Sequence, residues 1–84
     1  MPLPQQAVSL TPEQIADLNS KLSAMRHDIN NHLSLIVAAV ELIRYKPETL
    51  ERMMNTLVEQ PPRVSKALQL FSAQFESALG ITRS

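Results

Sequence analysis

One pattern of apolar residues in the first half of the chain limits what the chain can fold into. Apolar side chains recur there at alternating spacings of three and four, interrupted once by His32: Ile15, Leu18, Leu22, Met25, Ile29, His32, Ile36, Ala39 and Ile43. This spacing aligns them along one side of an α-helix, as in helices that pair lengthwise. We therefore predict a helix over about residues 11–45, preceded by a flexible tail over residues 1–10.

Residues at both ends support this helix. Thr11 stands at the N-cap, Pro12 at the first helical position, and Gln14 where it completes a capping box. Pro47 ends the helix, because the residue before a proline is disfavoured in the α conformation. The same proline suits the first turn of a second helix.

A second stripe with the same spacing follows: Leu50, Met54, Leu57, Pro61, Val64, Leu68, Phe71, Phe75 and Ala78. Its phase is kept across the Pro61–Pro62 pair, which favours one kinked helix over about residues 47–79. A true break remains an alternative, because each proline costs about 3 kcal/mol inside a helix. Gly80 is predicted to end this helix, with a frayed end over residues 81–84.

These elements predict an all-α fold of one domain over residues 11–80. The short connection makes the two helices antiparallel neighbours. Their apolar faces are too wide to cover only each other, so we expect two hairpins to dimerise into a four-helix bundle. The predicted dimer core consists of Leu22, Met25, Ile29, His32, Ile36, Val64, Leu68 and Phe71.

The composition excludes several classes of function. The net charge is zero and the eight basic residues are scattered, which argues against a nucleic-acid partner. There is no cysteine and only one glycine, so neither thiolate chemistry nor a glycine-rich phosphate loop is available. The most apolar stretch is too short to span a bilayer, and the N-terminus lacks the charged-then-apolar pattern of a signal peptide. We expect a cytoplasmic protein without membrane partners.

The run Arg26–Asn31 carries the candidate chemistry. Heptad phase puts His27 on the outermost face of the first helix, with Asn31 one turn later and Asp28 beside it. Neutral imidazole is a nucleophile near pH 7, and an adjacent carboxylate can orient it and stabilise positive charge that develops on it. Hairpin register brings Arg63 and Lys66 of the second helix to about the same level, where they could contact a phosphoryl group.

The run Arg26–Ile36 resembles the H-box of the dimerisation and histidine phosphotransfer domain of two-component sensor histidine kinases. It is similar to the His-Asp-x-x-Asn variety found in the sporulation-relay phosphotransferase and in citrate-type sensor kinases. The resemblance implies that His27 accepts a phosphoryl group, that Asp28 assists, and that Asn31 serves in phosphatase chemistry.

The resemblance also implies a homodimer that docks a response-regulator receiver domain, which would bring a Mg ion; no cofactor is expected in this chain. Sensor kinases carry an ATP-binding domain that this sequence lacks, so autophosphorylation would need a separate kinase domain. The irregular ends favour a complete small protein.

Other interpretations stay open. The chain could be a non-catalytic dimeric scaffold derived from such a module, or a bundle that binds a hydrophobic ligand. His27 could be an ordinary surface residue, and Arg63 and Lys66 a solvated face. His32 is predicted to be packed or to face the dimer. A zinc site formed by His27 and His32 is not expected, because five residues on a helix place the rings about 140° apart.

Overall fold

The computed structural model describes residues 7–80 and shows a hairpin of two long helices. Helix α1 spans Pro12–Tyr45, a short 3-10 turn spans Pro47–Thr49, and helix α2 spans Leu50–Leu79. The two helices pack against each other in antiparallel fashion, and the described residues contain no strand. The predicted helical hairpin is therefore confirmed.

Both ends of α1 follow from local chemistry. The Thr11 hydroxyl accepts a hydrogen bond from the Gln14 backbone N–H at 3.1 Å, and the Gln14 side chain accepts one from the Thr11 N–H at 2.8 Å. This is the predicted capping box, which satisfies donors that a helix start otherwise leaves open. After Tyr45, the backbone N–H of Lys46 donates to the Leu42 carbonyl at 2.7 Å and closes the helix.

The second helical segment begins differently from the prediction. Its first turn, Pro47–Thr49, is a 3-10 turn, and the α-helix starts only at Leu50. The Thr49 hydroxyl donates to the Lys46 carbonyl at 2.7 Å, which holds the tighter turn together.

Helix α2 continues through the Pro61–Pro62 pair without a break. The two rings remove the N–H groups that would have bonded the carbonyls of Leu57 and Val58, so this stretch has fewer backbone bonds than the rest. Gly80 ends the helix with a φ of 69°, a left-handed conformation that suits glycine, as predicted. The frayed end predicted for residues 81–84 lies outside the described residues.

Several positions of the predicted α2 stripe are exposed: Leu50, Met54, Pro61, Leu68 and Ala78. At the proline pair the buried residue is Gln60, only 1% accessible, in place of Pro61. The shift from Pro61 to Gln60 has a chemical cause, because the Gln60 side chain hydrogen-bonds His32 of the other helix and the Thr56 carbonyl of its own, which a proline ring cannot do.

The hairpin has little core of its own. It measures 57 × 28 × 12 Å, a thickness that leaves room for one layer of helices. Ala39 is the one fully buried apolar residue among those described. The accessible surface is 6516 Å², whereas a compact monomer of this mass would expose about 5000 Å². Both broad sides of the layer are therefore open.

Most of the exposed apolar surface lies on one of these broad sides. At about 100° per residue, seven exposed apolar side chains of the two helices fall on the same side of the hairpin, whereas Leu35 and Leu70 fall on the other. We call the side that carries the seven the apolar face. Its side chains are between 43% and 68% accessible: Leu33, Val37, Val40, Leu50, Met54, Val58 and Leu68.

Candidate functional site

His27 lies on the outside of α1, exposed to solvent. The helix carries it away from α2, and on the helical wheel it lies about 80° from Val37 and about 120° from Leu33 of the apolar face. Its one side-chain hydrogen bond among the described residues is with Asn31, whose Nδ2 lies 3.4 Å from the His27 Nε2. The ring is therefore open to water and to a visiting protein.

The contact with Asn31 has a consequence for the ring nitrogens. An amide nitrogen can only donate, so in this arrangement His27 Nε2 accepts and the neutral ring carries its proton on Nδ1. The lone pair that a nucleophilic attack requires is then on Nε2. At 3.4 Å the contact is long for a hydrogen bond, so an incoming group can displace it at little cost.

The carboxylate of Asp28 does not contact the ring of His27 through a hydrogen bond among the described residues. Consecutive residues of a helix point about 100° apart. Asp28 instead lines a groove between the helices. We call this the polar groove; it has a volume of about 260 Å³ and is lined by Asp28, His32, Arg63, Lys66, Ala67 and Leu70.

Arg63 and Lys66 thus lie beside Asp28 and His32, and His27 is not among the groove residues. The guanidinium of Arg63 is 3.6 Å from the Glu59 carboxylate, in an exposed pair that contributes little stability. No carboxylate within residues 7–80 lies within 4.0 Å of the Lys66 ammonium. The structure therefore brings the two candidate cations together in the groove, which His27 does not line.

His32 lies between the helices and contacts a residue that the sequence did not single out. Its Nδ1 is 2.8 Å from Oε1 of Gln60, and Gln60 Nε2 donates to the Thr56 carbonyl at 2.9 Å. Because a carbonyl can only accept, the amide nitrogen of Gln60 must face Thr56. Gln60 Oε1 therefore accepts from His32, and the proton of this ring is on Nδ1.

A sequence signal for Gln60 did exist. His32 interrupts the stripe of α1, and a polar residue in an apolar interior needs a partner. With the turn near Lys46, the position opposite His32 falls close to residue 60. Gln60, next to the proline pair, was the nearest side chain able to accept a hydrogen bond.

Within residues 7–80, no three His, Cys, Asp or Glu side chains come together as metal ligands. No helix in that part of the chain is both long and apolar enough to cross a membrane. No protein-family model, curated protein or solved structure matches this chain.

Proposed function

We propose that this chain is a histidine phosphotransfer and dimerisation module of two-component signalling. In this proposal His27 exchanges a phosphoryl group with an aspartate of a receiver domain. The observation that supports it most strongly is the exposed imidazole of His27, whose Nε2 is approached, among the described residues, only by the Asn31 amide, at a long 3.4 Å.

The transfer step balances with the groups present and one partner. The Nε2 lone pair of His27 attacks the phosphorus of the receiver's aspartyl phosphate, an N–P bond forms, and the P–O bond to the aspartate breaks with its electron pair. The receiver supplies the Mg ion. The Asn31 amide, displaced from Nε2, can then donate to a phosphoryl oxygen, and the negative charge of Asp28 favours the positive charge on the ring.

Arg63 and Lys66 line the polar groove and not the surface around His27, so in this proposal they bind the partner protein and do not contact the phosphoryl group. Two cations on one side of the groove attract an acidic partner and raise its association rate. Leu70, 59% accessible at the same groove, offers the apolar contact that a docked protein would cover. We propose this side of the hairpin as the receiver-docking surface.

The proposed homodimer uses the other broad side. This differs from the predicted dimer core, of which only Leu68 belongs to the apolar face, while the other seven residues are half-buried within one hairpin. The hairpin exposes about 1500 Å² more surface than a compact protein of its mass, and a standard interface takes about 800 Å² from each partner. A second copy seated on the apolar face would bury about half of this surplus. It would leave His27 and the polar groove accessible, because both lie away from that face.

Transfer of label from a phosphorylated receiver domain tests the proposal. The wild-type chain is expected to take up a phosphoryl group that is lost in acid and stable in base. The His27→Gln variant should take up none, and a His32→Gln variant that remains folded should label normally. Equal labelling of wild type and His27→Gln would refute the proposal.

One observation favours a second candidate, a non-catalytic dimeric scaffold. Asp28 faces the groove and makes no hydrogen bond to His27 among the described residues, so the acid is not oriented for assistance in the unbound hairpin. A scaffold predicts that His27→Ala leaves partner binding unchanged while no label is ever transferred. The same receiver assay therefore separates the two candidates.

A further inference from the structure

The polar groove has the composition of a binding site in its own right. We propose that it binds an oxyanion of the phosphate class, and that His32 takes up a proton on Nε2 when the anion binds. This site is separate from His27, which does not line the groove. It therefore does not depend on phosphotransfer at His27.

The first support is the arrangement of donors. Arg63 and Lys66 lie on successive turns of α2 and line the same 260 Å³ groove as His32. The contact between Arg63 and Glu59, at 3.6 Å, occupies one side of the guanidinium and leaves its other N–H groups available. Guanidinium and ammonium groups together are the usual partners of phosphate oxygens in proteins.

The second support is the fixed orientation of His32. Gln60 is 1% accessible and is itself held by the Thr56 carbonyl, so its Oε1 gives His32 Nδ1 a constant acceptor. The Nδ1 proton stays in place whether the ring is neutral or charged. Any additional proton must go to Nε2, and there it supplies a third donor for an anion.

The charges around His32 determine whether an anion in the groove favours or opposes protonation of its Nε2. The charged groups that line the groove with it are Asp28 on its own helix and Arg63 and Lys66 on α2, with Glu59 bound to Arg63. An anion between the two cations favours the positively charged ring of His32 over the neutral one. The carboxylate of Asp28 opposes the anion, so Asp28→Asn should tighten binding.

Nuclear magnetic resonance of the full chain with labelled histidine side chains tests the inference. We expect inorganic phosphate, at roughly millimolar concentrations, to shift the ring signals of His32, protonating Nε2 while Nδ1 stays protonated. Lys66→Gln should weaken binding by up to roughly fivefold. The matched control is Arg52→Gln, since Arg52 is exposed on the same helix but does not line the groove.

A parallel titration with phenyl phosphate separates two sources of the same chemistry. Binding of inorganic phosphate alone indicates a site for the free ion, and binding of phenyl phosphate as well indicates a phosphoryl group carried by a larger molecule. Either result supports the inference.

His32 signals that respond to neither probe, or equally to chloride at matched ionic strength, would overturn it. So would unchanged affinity in Lys66→Gln, an exposed substitution that should leave the fold intact. The His27→Gln variant should bind phosphate as wild type does, so this result stands apart from the receiver assay.

Discussion

The two histidines of this chain are five residues apart on one helix and have opposite surroundings. His27 is exposed, and its one side-chain hydrogen bond among the described residues is a 3.4 Å approach from Asn31 of its own helix. His32 is partly buried and contacts Gln60, 28 residues later in the chain, at 2.8 Å. One ring is available for chemistry and contributes little to the fold, whereas the other connects the two helices.

The difference shows how a thin hairpin separates reactivity from stability. A ring on the outer surface keeps its lone pair accessible because nothing in the fold needs it. A ring between the helices must satisfy its polar atoms, since an unpaired buried donor costs about 1–3 kcal/mol. Helical periodicity alone puts the two rings on these different sides.

The largest effect is expected from a charge on the apolar face. Val37→Glu adds little cost to an isolated hairpin, because Val37 is 61% accessible. In the proposed dimer it would bury an unpaired carboxylate in each copy, at a cost on the order of 3 kcal/mol per copy. We expect sedimentation analysis to show loss of the dimer, together with a lower melting temperature.

The matched control places the same charge on the side of His27. Ser20 is exposed and lies two turns before His27 on the same side of α1. Ser20→Glu should leave both the dimer and the melting temperature unchanged. A dimer that survives Val37→Glu would show that the apolar face has some other occupant.

The next largest effect on stability is expected when each histidine ring is removed in turn. His32→Ala leaves the buried Gln60 acceptor without its donor and opens space between the helices, so the free energy of unfolding should fall by about 1–3 kcal/mol. His27→Ala should change it by less than about 0.5 kcal/mol, since an exposed side chain is removed. Urea denaturation of the two variants measures both; equal losses would contradict the contrast.

The smallest effect on stability is expected at Asn31. Asn31→Ala removes a long, exposed contact, so the free energy of unfolding should stay within about 0.5 kcal/mol of wild type. The variant should nevertheless shift the neutral ring of His27 away from the Nδ1–H form that Asn31 favours. Ring nitrogen chemical shifts would show this change, and identical shifts in variant and wild type would mean that Asn31 does not orient the ring.

The parts of the fold that could be predicted are those set by local sequence. The capping box at Thr11, the end of α1 before Pro47 and the left-handed Gly80 each depend on a few neighbouring residues. The surface position of His27 follows from helical periodicity alone. Local patterns therefore sufficed for the hairpin and for the place of the candidate nucleophile.

The remaining features depend on contacts between the helices. Periodicity assigned Pro61 to the interior because a stripe records spacing and not hydrogen bonding. In the structure the hydrogen bond between His32 and Gln60 places Gln60 in the interior instead. For the same reason the sequence could not show that Asp28 lines a groove with Arg63 and Lys66. Those positions depend on how far one helix is rotated about its axis against the other.

The most direct test of the central contrast is to map a transferred phosphoryl group to one of the two rings. The chain is incubated with a phosphorylated receiver domain, digested at neutral to basic pH, and the peptides are sequenced by mass spectrometry with electron-based fragmentation. The account predicts modification at His27 and none at His32. Modification at His32, or at neither ring while the receiver is shown to bind, would contradict it.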